Sequence, residues 1–170
     1  MPQIDVAGPA KTISNTLTYN QKDLYNYFHQ WFSDRHYDVV EKSYKERITS
    51  EGKKVYSFTW MSEKKVSDYA RLKVALEFRA EVENVRVEDH EGKKKTAQKG
   101  EVSVTIQGLV ERDFQDQWKL TGSPTQHLLR EAYDKLVMKG RQNRYETQLG
   151  KDLKLIESDI RTYLKTHRYD

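Results

Sequence analysis

The sequence contains no cysteine. Disulfides, thiolate nucleophiles and cysteine-ligated zinc are therefore excluded together. Proline is scarce, with two of the three copies inside the first ten residues. No stretch approaches the roughly 20 apolar residues of a membrane-spanning helix, so no membrane insertion is expected. The start, MPQIDVAGPA, has neither the basic nor the apolar region of a signal peptide, and a cytoplasmic location is the expectation. The motifs of several chemistries are also missing. Gly52-Lys53 and Gly92-Lys93 lack the upstream glycine and the following helix of a phosphate-binding loop. There is no G-x-S-x-G elbow. The five histidines, His29, His36, His90, His127 and His167, form no H-x-H or H-E-x-x-H pair. No catalytic residue, metal ligand or cofactor is assigned.

Charge of one sign is lacking too. Thirty basic residues face 26 acidic ones, a net charge of +4, which by itself does not point to nucleic acid. What is present is a low hydrophobic share of 36%, a charged share of 33%, and an aromatic set of three Trp, eleven Tyr and five Phe. Such a chain has a thin core, a large charged surface and too many rings to be disordered. Its length suits a single domain.

Alternation and capping signals place the elements. Residues 1–10 read as a flexible tail. Ile13, Leu17 and Tyr19 alternate as a short strand, suited to a sheet edge. Asn20 opens a helix by capping Asp23, with Leu24, Phe28 and Trp31 on one stripe, Tyr27 beside them, and Tyr25 and Phe32 off it. Strands are predicted over 37–49, 54–61, 66–88 and 96–111. In the third, Val66, Ala70, Leu72, Val74, Leu76, Phe78, Ala80 and Val82 share one parity, interrupted only by Asp68. Beyond Asn84 the apolar parity switches to Val85 and Val87, which predicts a bulge or bend near Glu83–Asn84. Phe114 and Trp118 are expected to anchor a loop. Ser123-Pro124-Thr125-Gln126 starts a helix, whose buried stripe would be Leu128, Leu129, Ala132, Tyr133, Leu136 and Val137. A break is expected near Gly140.

The expected fold is α+β: a two-layer arrangement in which a curved antiparallel sheet (strand, helix, four-strand meander) is packed on one face by an N-terminal helix and a long, kinked C-terminal helix. Residues 11–122 supply the sheet and first helix, and residues 123–170 the C-terminal helical segment of the same domain. This element order resembles a helix-grip (START-like) architecture, in which a curved sheet wraps a long C-terminal helix. The blocks LYNYFHQWFSDRHYDVVEK, WMSEKKVSDYARLKV and LLREAYDKL resemble those of uncharacterised archaeal proteins. That resemblance implies no activity and no site residues.

Three binding surfaces are candidates. Leu149, Leu153, Ile156, Ile160 and Tyr163 recur at heptad-like spacing and offer a face to a partner helix or a second copy of the chain. Self-association or docking of a protein partner is the leading expectation. Leu72, Val74, Leu76, Phe78, Val104 and Ile106 could line a cavity between sheet and C-terminal helix for an apolar small molecule. Asp68 would then be either an exposed strand end or a carboxylate at the mouth of that cavity. Lys53, Lys54, Lys93, Lys94, Lys95 and Lys99, with Lys139, Arg141 and Arg144, could meet RNA or another polyanion. The two EGKK segments, Glu51–Lys54 and Glu91–Lys94, read as hairpin turns at one end of the meander, giving one basic end. Carboxylates are plentiful, and Glu111, Asp113 and Asp116 sit close together after a strand; they would suit acid–base work only if burial separates their pKa values.

Overall fold

A computed structural model describes residues 3–112, 128–129, 132 and 139–169. Its elements run β1 (Gln3–Val6), β2 (Lys11–Tyr19), α1 (Gln21–Asp34), β3 (Asp38–Ile48), β4 (Lys54–Lys65), β5 (Ala70–Glu88), β6 (Lys94–Arg112) and α2 (Lys139–Thr166). The fold is α+β, with one curved, open, antiparallel sheet of six strands and helices at both ends of the chain. Strands β3 to β6 form the expected meander. Strands β1 and β2 pair one after the other along the same edge of β6. Part of the expected tail is thus strand: Gln3 lies opposite Arg112 and Val6 opposite Leu109, and Asp5 pairs with Arg112 at 2.8 Å. Too short to show alternation, β1 owes its place to the ladder it joins.

Because β2 and β3 lie on opposite edges, α1 must cross the inner face of the sheet between them. Asn20 caps it as expected, its side chain accepting the Asp23 N–H at 3.0 Å. The buried face is broader than the stripe read from spacing. It takes in Phe32 as well as Leu24, Phe28 and Trp31. The helix stops in a two-bond C-terminal motif, Tyr37 N–H to Phe32 C=O and His36 N–H to Ser33 C=O. His36 occupies the left-handed position at φ 64°, a place that favours glycine.

The inner faces of β4, β5 and β6 supply Phe58, Trp60, Leu72, Val74, Leu76, Phe78, Val104 and Ile106 to one core with α1 and α2. Phe78 lies under Phe58 with centroids 4.7 Å apart, and Phe28 meets it edge-on. The two helices join through Trp31 Nε1, which donates to Asp159 at 2.8 Å, and through Tyr27 stacked on Tyr163 at 4.3 Å.

The sheet's irregularity falls where the sequence does not point. Pairing of β5 with β6 runs in unbroken register from Ala70–Arg112 to Glu88–Lys94, so of the bulge or bend expected near Glu83–Asn84 the register excludes the bulge. The close approach of the two backbones lies nearby. A Cβ on Gly100, opposite Val82, would stand 2.0 Å from the Glu81 carbonyl oxygen. Past that point Val85 and Val87 line a cleft against the chain's C-terminal end. The real bulge is in β3, between Glu41 and Ser43.

Leu128 and Leu129 are 65% and 59% exposed and Ala132 is exposed, so these three do not form the expected buried stripe. Tyr133, Leu136, Val137, Phe114, Trp118 and the Ser123–Gln126 helix start lie outside the described residues. Gly140 is helical within α2.

Candidate functional site

The heptad-like face of α2 is turned inward. Leu149, Ile156, Ile160 and Tyr163 are buried in the core, with Leu153 packed against it. A Cβ on Gly108 of β6 would lie 2.6 Å from Leu153 and 3.0 Å from Leu149. The seam offered to a partner helix is therefore covered by the chain's own sheet. The six apolar cavity candidates of β5 and β6 lie in the same core, each at most 1% exposed. Of the two readings of Asp68, the exposed strand end holds and the cavity carboxylate does not. The residue precedes β5, its side chain is 84% exposed, and it pairs with Lys65 at 3.1 Å.

The EGKK turns are built alike. Gly52 and Gly92 have φ of 82° and 79°. Each donates its N–H back to the carbonyl three residues earlier, at Thr49 and Asp89. This is a type I turn closed by a left-handed glycine, the usual three-residue hairpin loop. Both turns lie at the same end of the meander, but not side by side. Lys54 sits opposite Val82, whereas Lys94 sits opposite Glu88, six residues further along β5. At about 3.3 Å per residue the tips are offset by roughly 20 Å. Local acids also engage the cluster: Lys95 pairs with Asp89 at 3.3 Å and Lys93 with Glu91 at 4.0 Å. The Lys93 backbone N–H, then Lys95, hold the Asp89 carboxyl below its ordinary value. Lys95 and Lys99 line a cleft of about 830 Å³ with Arg86 and Arg168, but Asp23, Glu88 and Asp89 share it. Arg144 is exposed on α2. The side chains of Lys139 and Arg141 lie outside those described.

Glu111 is buried on the outer face of the sheet, where it bonds Arg71 and sits 3.1 Å from Lys73. Glu63 completes the group, 3.1 Å from Arg71 and 3.3 Å from Lys73. Burial opposes ionisation of Glu111, but the bonds and charges of Arg71 and Lys73 outweigh it and hold the carboxyl below the ordinary range. A group fixed as a paired anion is a poor general acid. Its expected companions Asp113 and Asp116 lie outside the described residues.

A second cleft is lined by residues that the sequence did not single out as a site. Gln21, Lys22 and Tyr25 of α1, Glu41, Tyr44 and Glu46 of β3, Tyr56 of β4 and Gln98 of β6 line a cleft of about 470 Å³. Tyr25 and Tyr44 stand perpendicular, at 84° with centroids 6.0 Å apart. The Tyr25 hydroxyl donates to Glu41 at 2.6 Å, and Trp60 Nε1 donates to the same carboxylate oxygen at 2.8 Å. The Tyr44 hydroxyl donates to Glu46 at 2.7 Å. Burial and then the Glu41 bond push the Tyr25 phenol up to about 12, and burial with Glu46 raises Tyr44 as well. Both phenols therefore stay protonated donors at neutral pH. Gln21 is buried; its Oε1 accepts from Tyr19 at 2.6 Å while its Nε2 has no partner among the described residues. So short a contact suits O–H···O rather than N–H···O and fixes which way the amide faces.

No family model and no curated protein matches the chain. The cleft's chemistry therefore has to be read from its own residues. The signal for it in the sequence is slight: tyrosine rather than phenylalanine at Tyr25 and Tyr44, where a ring would otherwise simply pack.

Proposed function

We propose that this is a non-catalytic binding protein whose ligand is a small polar molecule held in the cleft between α1 and β3. The observation that carries the reading is the pair of perpendicular tyrosines whose hydroxyls are fixed on Glu41 and Glu46. Rings locked by hydrogen bonds present contact area with little entropy left to lose on binding. The raised phenol pKa values favour holding a ligand over moving its protons. Docking a partner through the helices finds less support, because the apolar faces of α1 and α2 are buried against the sheet. The helix-grip carrier reading finds less support as well, because the space between sheet and α2 is filled by Leu149 and Leu153 against Gly108.

The Trp60 indole N–H, bonded to a cleft carboxylate, is a natural reporter. Screening a mixed small-molecule library by NMR should find compounds that shift this resonance saturably in the native protein and much less in Tyr44→Ala. If every binder shifts only resonances remote from Trp60, the site is misplaced.

A further inference from the structure

We propose that the ligand of this cleft is a small organic cation, an alkylated ammonium, seated against Tyr44 between Glu41 and Glu46; this rests on the binding reading above and adds the charge of the ligand to it. Three observations support it. First, the aromatic surface is of the right kind. Tyr44 is 43% exposed and lies nearly parallel to Phe58, at 12°, so its open area belongs to the side away from Phe58. Tyr25 stands across the corner from it. A cation within about 6 Å of a ring centroid is drawn to the negative face of the ring.

Second, the ring hydroxyls donate to carboxylates. Each such bond polarises its phenol and makes the ring more electron-rich, which strengthens attraction for a cation and does little for a neutral guest. Third, the carboxylates are only partly engaged within the chain. Among the described residues, Glu41 accepts the tyrosine and tryptophan bonds through Oε2, and Glu46 accepts its bond through Oε1. One oxygen of each is left to balance an incoming positive charge.

Lys22 shares the cleft and carries the opposite preference. It stands on the first turn of α1, next to Gln21, whose Nε2 has no partner among the described residues. The ligand's cation therefore belongs at the β3 end, and whatever group reaches α1 must be an acceptor. The bulge in β3 makes this arrangement. Glu41 faces Trp60 and Tyr44 faces Phe58, both on the inner side of β4. An odd spacing of three residues would put them on opposite faces of a regular strand.

The test is a titration of the full chain with choline and with its neutral isostere 3,3-dimethylbutan-1-ol, read on the Trp60 indole resonance. Choline should bind about tenfold more tightly than the isostere. Glu46→Gln and Tyr44→Ala should each weaken choline by about fivefold or more, and Tyr44→Phe, which keeps the ring, by less. Both positions are on a sheet edge, and unchanged spectra elsewhere would show that the fold is intact. Equal binding of choline and the isostere overturns the cation and leaves the cleft reading standing. No response to choline, alongside a library compound of another class that shifts Trp60, does the same. No response at Trp60 to any compound overturns both.

Discussion

Glu111 and Gly100 show what single residues decide here. Glu111 is lodged on the sheet's outer face with Arg71 and Lys73 because its charge is matched there. Its carboxyl is held below the ordinary range, so the folded state favours the anion. The stability it adds is complete above the unfolded-state value of about 4.3 and is lost as pH falls through the lower folded value. Glu111→Gln should cost about 1.5–3 kcal/mol at pH 7. The gap to the native protein should close below about pH 4, as measured by urea unfolding across pH. Gly100 tolerates no side chain, since a Cβ would run into the Glu81 carbonyl. Gly100→Ala should cost about 3 kcal/mol in the same assay. His36 gives the opposite sign. Its left-handed backbone lacks the glycine that such a helix end favours. His36→Gly should raise stability by about 0.5–1 kcal/mol.

At the scale of elements, α2 is the instructive case. Its heptad-like seam was legible, but not what the seam packs on. Spacing reports that one face is apolar; it cannot distinguish a partner helix from the chain's own sheet. Ile156 lies 1% exposed in the common core. Ile156→Ala should therefore lower stability by about 2–5 kcal/mol, and sedimentation should show the association state of the folded protein unchanged. A shift in that state without loss of stability would restore the seam to a partner. In β3 the difficulty is the reverse. The bulge that brings Glu41 and Tyr44 to one face has no glycine or proline to mark it, so residues of opposite parity did not read as one site.

Over the whole molecule, the long β5–β6 hairpin divides into two regimes. Up to Val82, β5 is paired on both sides, with β4 and with β6. From Glu83 to Glu88 it is paired with β6 alone, and its side chains are exposed or half-buried. Opening this tip uncovers little apolar surface. Amide hydrogen exchange should accordingly be faster for Val85–Glu88 than for Leu72–Phe78, by orders of magnitude. Equal protection would mean that the tip is held by more than its own ladder. The same extension separates the two basic turns, so the lysines that look clustered in the sequence are spread along one end of the sheet.

The sequence by itself determined the local grammar: the alternation of β2, β4, β5 and β6, the Asn20 cap, the glycine-closed hairpin turns and the order of the meander. Each of these is settled by residues a few positions apart. Tertiary structure decided the rest: that β1 joins an existing edge, that β5 and β6 pair without a bulge past Gly100, that β3 bulges at Glu41–Ser43, and that α2 is covered by the sheet. These depend on which backbone lies alongside and on how twist accumulates across strands, and no periodicity within one segment records its neighbour. The cleft combines three helix residues, three from β3 and one each from β4 and β6. It exists only after all of those choices have been made.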